Sequence, residues 1–420
     1  MIPDLPLDEE QKKAVFTKVN TVVSAGAGSG KTRVLAYRYF YLLATGQAKV
    51  ENLLALTFTR KAAAEMYERI YYLLLKEKEK YPRLQEALSH FDKAQISTID
   101  SFCAQIARNG AAAFGLPGSF SEDSEHLEEE IRSLALDFLL KHSESAGLGE
   151  MIHAVDFERV WEELFVPLGM SHFILGRKFD FPGMAEKQQS LLQRDLRSVI
   201  EELEECSSDI CRLPPGNYST LTQAQAKTGT IKRIPLPEDS GLTASFLDRL
   251  LVQVSEAYNY RKPGSNAKDS SLVLLYGYTE RARDLLIKLK DIIPTLAGMG
   301  WIREVLLLCG EFQELVLNRK RKTGLLSYAD ISSLALETLK HNAEIRSYYK
   351  NLFRYIMVDE FQDTNLMQKE LIYLLAEKKS QTEQGIPAGE DLEEGKLFFV
   401  GDEKQSIYRF RDADVSVFKK

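Results

Sequence analysis

A chain of 420 residues has room for two or three domains, and 44% hydrophobic with 27% charged residues is the balance of a folded globular protein, not of a disordered or low-complexity chain. Fifty-four Lys and Arg against 61 Asp and Glu leave a net charge of −7, so a nucleic-acid partner has to be met by a locally basic groove and not by overall charge. The four cysteines, Cys103, Cys206, Cys211 and Cys309, form no CxxC pair and give neither a disulfide framework nor a zinc or iron–sulfur spacing; reduced structural thiols are expected.

The opening MIPDLPLDEEQ carries two prolines and several acids before any apolar stretch, and no apolar run reaches the roughly 18–20 residues that span a bilayer. The expectation is a cytoplasmic protein with no membrane partner. Residues 1–112 alternate short apolar strands with helical patterns, the rhythm of a parallel α/β sheet. TVVSAGAGSGKT reads as strand, Gly-rich turn and helix; ENLLALTFTRKAAAEM repeats the order, with Ala62, Met66, Ile70 and Leu74 on one helix face; QISTIDSFC is a third strand with a polar exit.

From residue 113 to 322 the character changes to long amphipathic helices. Leu127, Ile131, Leu134 and Phe138 form one stripe, and Leu192, Leu196, Val199, Ile200 and Leu203 another. LPPGNYSTLTQAQAKTGTIKRIPLPEDSG reads as a loop or irregular module. The basic run Arg319, Lys320, Arg321, Lys322 closes the segment; favourable placement at a helix C-terminus accounts for it better than contact with duplex phosphates. From 323 to 420 the α/β rhythm returns, predicting one sheet domain interrupted by a mostly α-helical insertion.

AGAGSGKT matches the phosphate loop GxxxxGK[ST] except at Ala25, where the first glycine is expected. Ala25, Gly26, Ala27, Gly28, Ser29 and Gly30 would curl so that backbone N–H groups face a phosphate at a helix N-terminus, Lys31 would reach the β- and γ-phosphates, and the Thr32 hydroxyl would ligate Mg²⁺. In YIMVDEFQDTN an apolar strand delivers Asp359 and Glu360 to its C-terminal edge: Asp359 to hold Mg²⁺, Glu360 to orient and deprotonate a water. A DE pair capping the next helix, with Asp363 as the cap, is the plainer alternative. FFVGDEKQSIYRFRDAD repeats strand and polar exit, bringing Gln405 toward the nucleotide as a γ-phosphate sensor, followed by Tyr408, Arg409, Phe410 and Arg411, which read equally as rings for stacking bases interleaved with cations or as an amphipathic edge whose rings pack in a core.

GSGKT, TFTRKAAAEM, VDEFQDTN and VGDEKQSIYRFR, in that order, resemble the superfamily 1 DNA helicases of the UvrD/Rep/PcrA type; TIDSFC, KQSIYRFRDAD and the large helical insertion look more like the RecB/AddA branch of helicase–nuclease motor subunits. The resemblance implies a RecA-like P-loop NTPase domain and ATP-dependent 3′–5′ movement on DNA. It implies ATP and Mg²⁺ as cofactors, single-stranded and duplex-end DNA as partners, and a second helicase–nuclease subunit. It makes Gln11 an adenine-reading residue with Arg33 near the base, and Thr57, Phe58, Thr59, Arg60, Thr98, Ser101, Tyr408, Phe410 and Arg411 contacts to the single strand, Phe58 and Tyr408 forming a base pocket. Arg60 stands where relatives often have Asn, Asp100 where they often have His, and Phe410 where they often have Trp. The arginine fingers of this family come from a second RecA-like domain that follows the third motif, so feeble turnover is expected of these 420 residues alone. Two other readings share the phosphate loop: a nucleotide- and DNA-binding module without turnover, and a small-molecule kinase or signalling ATPase, which gives no role to QSIYRFR.

Overall fold

LLALT, YIMVD and LFFVG are apolar at nearly every position, as strands must be when helices cover both faces of a sheet. The computed structural model describes all residues except 1–2, 4, 25, 27–29, 215–217, 232–233, 239–241, 262–268, 381–384 and 403–420. Its strands are β1 (Thr21–Ser24), β2 (Leu53–Thr57), β3 (Gln95–Thr98), the two-residue β4 (Ser121–Glu122) and β5 (Leu325–Leu326), β6 (Tyr355–Asp359) and β7 (Leu397–Gly401). Five of them make one parallel sheet in the order β1-β7-β6-β2-β3, and β4 pairs with β5.

Alternation along each strand sends side chains to two cores. Leu54, Leu56, Ile356, Val358, Leu397 and Phe399 pack under the helices Ile99–Gly110, Tyr328–His341 and Leu366–Ala376. Leu53, Ala55, Met357, Phe398 and Val400 pack under Lys31–Ala44, Arg60–Glu77 and Arg83–Ser89. Met66, Ile70 and Leu74 are fully buried, as their spacing predicts; Ala62 at the start of that row is half-buried.

The chain divides into two compact units: residues 1–131, 168–178 and 316–420, and residues 132–167 and 179–315. The second unit is therefore shorter than the 113–322 segment delimited from the sequence. The short stretch 168–178 belongs to the sheet-bearing unit because Leu175 N–H donates to Asp330 Oδ1 (2.9 Å) and Lys320 Nζ donates to the Phe173 carbonyl (2.9 Å). Lys320 also meets both Asp330 carboxylate oxygens, at 2.8 and 3.1 Å, with both side chains fully buried. One of the four cations of the basic run is thus a core group, available neither to the helix dipole nor to a phosphate.

In the second unit the long helices Phe181–Arg212 and Ser270–Ala297 share a core with Ala244–Ala257, built on Leu196, Leu203, Leu250, Leu275 and Leu289. Within the stretch read as a loop, Ser219–Thr228 is helical: Leu221, Ala224 and Thr228 fall on one face and are buried, and this packing acts together with the good helix propensity of its Ala, Gln and Lys residues. The cysteines are free, with Cys103, Cys206 and Cys309 buried. Among the described residues no single helix is long and apolar enough to cross a membrane.

Candidate nucleotide site and adjoining groove

Because the five strands are parallel, Ser24, Thr57, Thr98, Asp359 and Gly401 all end at one edge of the sheet. Helix N-termini gather there, each with local chemistry that stops the strand and starts the helix. Gly30, at φ 84°, caps Lys31–Ala44 in a left-handed conformation that a side chain would resist. Thr59 Oγ1 accepts from Ala62 N–H, and Thr98 Oγ1 accepts from Ser101 N–H. After β6 the capping residue is Asn365, in a capping box with Gln368, and not Asp363 as the sequence suggested; Phe361–Asp363 forms a 3₁₀ turn that carries the chain two residues further before the helix begins.

Lys31, Thr32, Asp359 and Glu360 converge although 327 positions separate the two pairs. Thr32 Oγ1 donates to Asp359 Oδ2 at 3.1 Å, and Lys31 Nζ, itself buried, lies 3.3 Å from Glu360 Oε2. Asp359 Oδ1 accepts from the Glu360 N–H at 3.1 Å. Burial, and then the Glu360 charge, push the Asp359 carboxyl up to about 6. A buried carboxylate beside a second one is short of positive charge, which is the condition a divalent cation relieves. Among the described residues no three His, Cys, Asp or Glu side chains form a cage, so an ion at Thr32 and Asp359 would complete its shell with water and phosphate oxygens, as Mg²⁺ commonly does. Glu360 is one of two described non-glycine residues with positive φ, 53°, a strain of the kind that collects at working sites.

Gln11 closes the other side of this edge. It is the third residue of the helix Glu9–Val15, boxed with Asp8, and its Nε2 lies 3.6 Å from where a Cβ on Gly30 would stand. Arg33 donates to the Pro6 carbonyl and lies over the Tyr37 ring. Gly26 faces the Asp402 carboxylate. Ala25, Ala27, Gly28 and Ser29 of the phosphate loop, and Gln405, Tyr408, Phe410 and Arg411, lie outside the described residues.

Beside this edge, at the ends of β2 and β3, is a groove of about 580 Å³ with Phe58, Arg60, Thr98 and Ser101 on its walls. Arg60 is exposed, Phe58 is half-buried against the core, and Thr98 Oγ1 donates to Ser101 Oγ at 2.7 Å. Thr57 is buried and does not line the groove, and Thr59 is occupied as a helix cap. Asp100 also lines the groove, and its Oδ1 accepts from Gln368 Nε2 at 3.2 Å, so a neutral amide partly satisfies the acid that takes the place of His. Tyr328, Arg108 and Glu122 also line the groove, and the sequence pattern assigns none of them a role. Tyr328 donates to Glu122, and this bond raises its hydroxyl above the ordinary range. SYADIS gave only a helix start; nothing in its local pattern marks Tyr328 as a groove residue.

The chain is a mixed α/β protein whose parallel sheet gathers a lysine, a threonine and two acids at one edge, beside a groove with cations and rings. It belongs to the UvrD/REP helicase N-terminal domain family, whose model matches residues 7–420. Three similar proteins each carry the name of an ATP-dependent helicase/nuclease subunit. The one from Syntrophomonas wolfei is 27% identical over 97% of this chain and 34% of its own length. That from Lactobacillus helveticus is 27% identical over 98% and 36%, and that from Bacillus pumilus 28% over 98% and 36%. The chain thus spans about a third of the length of the relatives it matches.

Proposed function

We propose that this chain is the N-terminal motor half of an ATP-dependent DNA helicase that moves 3′ to 5′ along single-stranded DNA, in repair or recombination end processing. In this reading a RecA-like P-loop domain, interrupted by the helical unit, works with a second motor domain and with a second helicase–nuclease subunit. The observation that carries it is the meeting of Lys31 with Glu360 and of Thr32 with Asp359 at one sheet edge.

Each residue then has a task that its position permits. Lys31 places a positive charge on the β- and γ-phosphates at the N-terminus of its helix, where backbone N–H groups also favour an anion. Thr32 and Asp359 would hold Mg²⁺, which would supply positive charge to offset the phosphate oxygens. Glu360, half-exposed and hydrogen-bonded from the lysine, orients the attacking water and takes its proton. Gln405 senses the γ-phosphate, and Gln11 with Arg33 bounds the base. Phe58, Arg60, Thr98 and Ser101 on the groove, with Tyr408, Phe410 and Arg411 beyond β7, hold the strand by stacking and phosphate contact.

The test is unwinding by the full-length protein of duplexes with a 3′ or a 5′ single-stranded tail, with Mg-ATP and with Mg-ADP. Unwinding of the 3′-tailed substrate only, and only with ATP, is expected. Nucleotide and strand binding with no ATP-dependent unwinding of either substrate would reduce the protein to a binding module.

A further inference from the structure

Gln362 sits inside VDEFQDTN between the two acids and the helix cap, is 2% exposed, and touches two strand exits at once. Its Nε2 donates to Glu360 Oε2 at 2.7 Å, the same oxygen that Lys31 Nζ approaches to 3.3 Å. Its Oε1 accepts from the backbone N–H of Asp402 at 2.9 Å, the residue immediately after β7. A carboxylate can only accept and a backbone N–H can only donate, so one orientation of the amide satisfies both partners and the reverse satisfies neither.

The neighbouring backbone is shaped to this side chain. A Cβ on Gly401 would stand 2.3 Å from Gln362 Oε1 and 2.6 Å from Phe361 Cδ1, so the exit of β7 comes this close only as glycine. The register of Asp359 with Val400 fixes the two strands beneath the contact. If the Glu360 carboxylate turns toward a water, Gln362 must follow it, and its other end then moves or releases the Asp402 N–H. A buried amide left unpaired is the costly alternative. Asp402 lies three positions before Gln405 and six before Tyr408 in the sequence.

We infer that Gln362 is a positioning residue that ties the Glu360 carboxylate to the exit of β7, so that nucleotide state and grip on single-stranded DNA are coupled through one side-chain amide. This rests on the function proposed above. It adds a residue and a contact that carry the coupling.

The experiment measures, in the full-length protein, the affinity for a labelled oligothymidylate in Mg-ADP and in a non-hydrolysable Mg-ATP analogue, together with KM and kcat for DNA-stimulated turnover. Two variants are compared with wild type after thermal unfolding shows each folded. Gln362→Met keeps length and removes both hydrogen bonds; Gly401→Ala drives a methyl group into the amide and leaves Gln362 itself intact. Wild type is expected to bind the strand with affinities that differ between the nucleotides by about 5- to 150-fold. In either variant that ratio falls to within about twofold of one and stimulated kcat drops about tenfold or more, while KM for Mg-ATP moves less than about twofold. If Gln362→Met does not fold, Gly401→Ala decides alone by the same readings. A variant that folds and keeps the wild-type ratio overturns the inference and leaves the proposed function standing. A wild type with neither turnover nor strand binding overturns the function, and the inference with it.

Discussion

Replacing Lys320 by Met removes one half of an ion pair that has no access to water. Asp330 receives five hydrogen bonds: two from Lys320 Nζ at 2.8 and 3.1 Å, one each from Ser327 N–H and Ser327 Oγ at 3.0 and 2.7 Å, and one from Leu175 N–H at 2.9 Å. Lys320→Met deletes the first two and also strands the Phe173 carbonyl. The three remaining donors are neutral, so the variant carries a buried carboxylate with no counter-charge. Loss of one partner of such a pair costs about 3–5 kcal/mol, far more than the 0–1 kcal/mol of a surface pair. Lys320→Met/Asp330→Asn removes both charges, and an amide oxygen can still accept from Ser327 or Leu175. The double variant should therefore recover about 1–3 kcal/mol over the single one. Urea unfolding monitored by circular dichroism reads both differences, with the transition of the sheet-bearing unit expected to move and that of the helical unit 132–167 and 179–315 to stay in place. A loss under about 1 kcal/mol for Lys320→Met, or a double variant weaker than the single, would refute the view that this pair fastens 168–178 to its unit.

Asp359, raised from 3.8 to about 6 by burial and by Glu360, costs the folded state stability wherever it is ionised there. The cost is present above about 6, declines as pH falls, and is gone below the unfolded value, where the group is protonated in both states. In protein free of metal and nucleotide, Asp359→Asn should thus be more stable than wild type by about 1–3 kcal/mol at pH 7.5, the gap closing near pH 4; urea titrations at the two pH values check it, and the opposite ranking contradicts it. Asn365→Ala removes the capping box with Gln368, so a loss of about 1 kcal/mol is expected, with faster amide hydrogen exchange confined to the first turn of Leu366–Ala376. Exchange unchanged in that turn would place the helix start elsewhere.

What was legible in the sequence is what local pattern determines. A run such as YIMV followed by two acids fixes both a covered strand and the edge where the acids emerge, and the GKT at 30–32 marks a helix start; parallel pairing then brings Lys31 and Glu360 together. Contacts between distant segments left no such trace. Gln362 meets Asp402, 40 positions on, only because β6 and β7 are neighbours, and Gln368 meets Asp100 across 268 positions. Lys320 was readable in principle: Phe312, Val316 and Lys320 recur every fourth residue, and all three are fully buried, so the period of the helix carries the lysine inward where its neighbours in the run suggested a surface. The helix Ser219–Thr228 was hidden by the turn-forming residues on either side of it.

In the function proposed above, Lys31, at the edge shared by β1 and β6, serves the nucleotide chemistry of a DNA-driven motor. The most direct test is steady-state Mg-ATP hydrolysis by the full-length protein, wild type and Lys31→Ala, with and without single-stranded DNA. Hydrolysis stimulated by DNA in the wild type and reduced about 10²-fold or more in the variant is predicted. Wild-type turnover in Lys31→Ala would contradict the assignment of this edge as the nucleotide site.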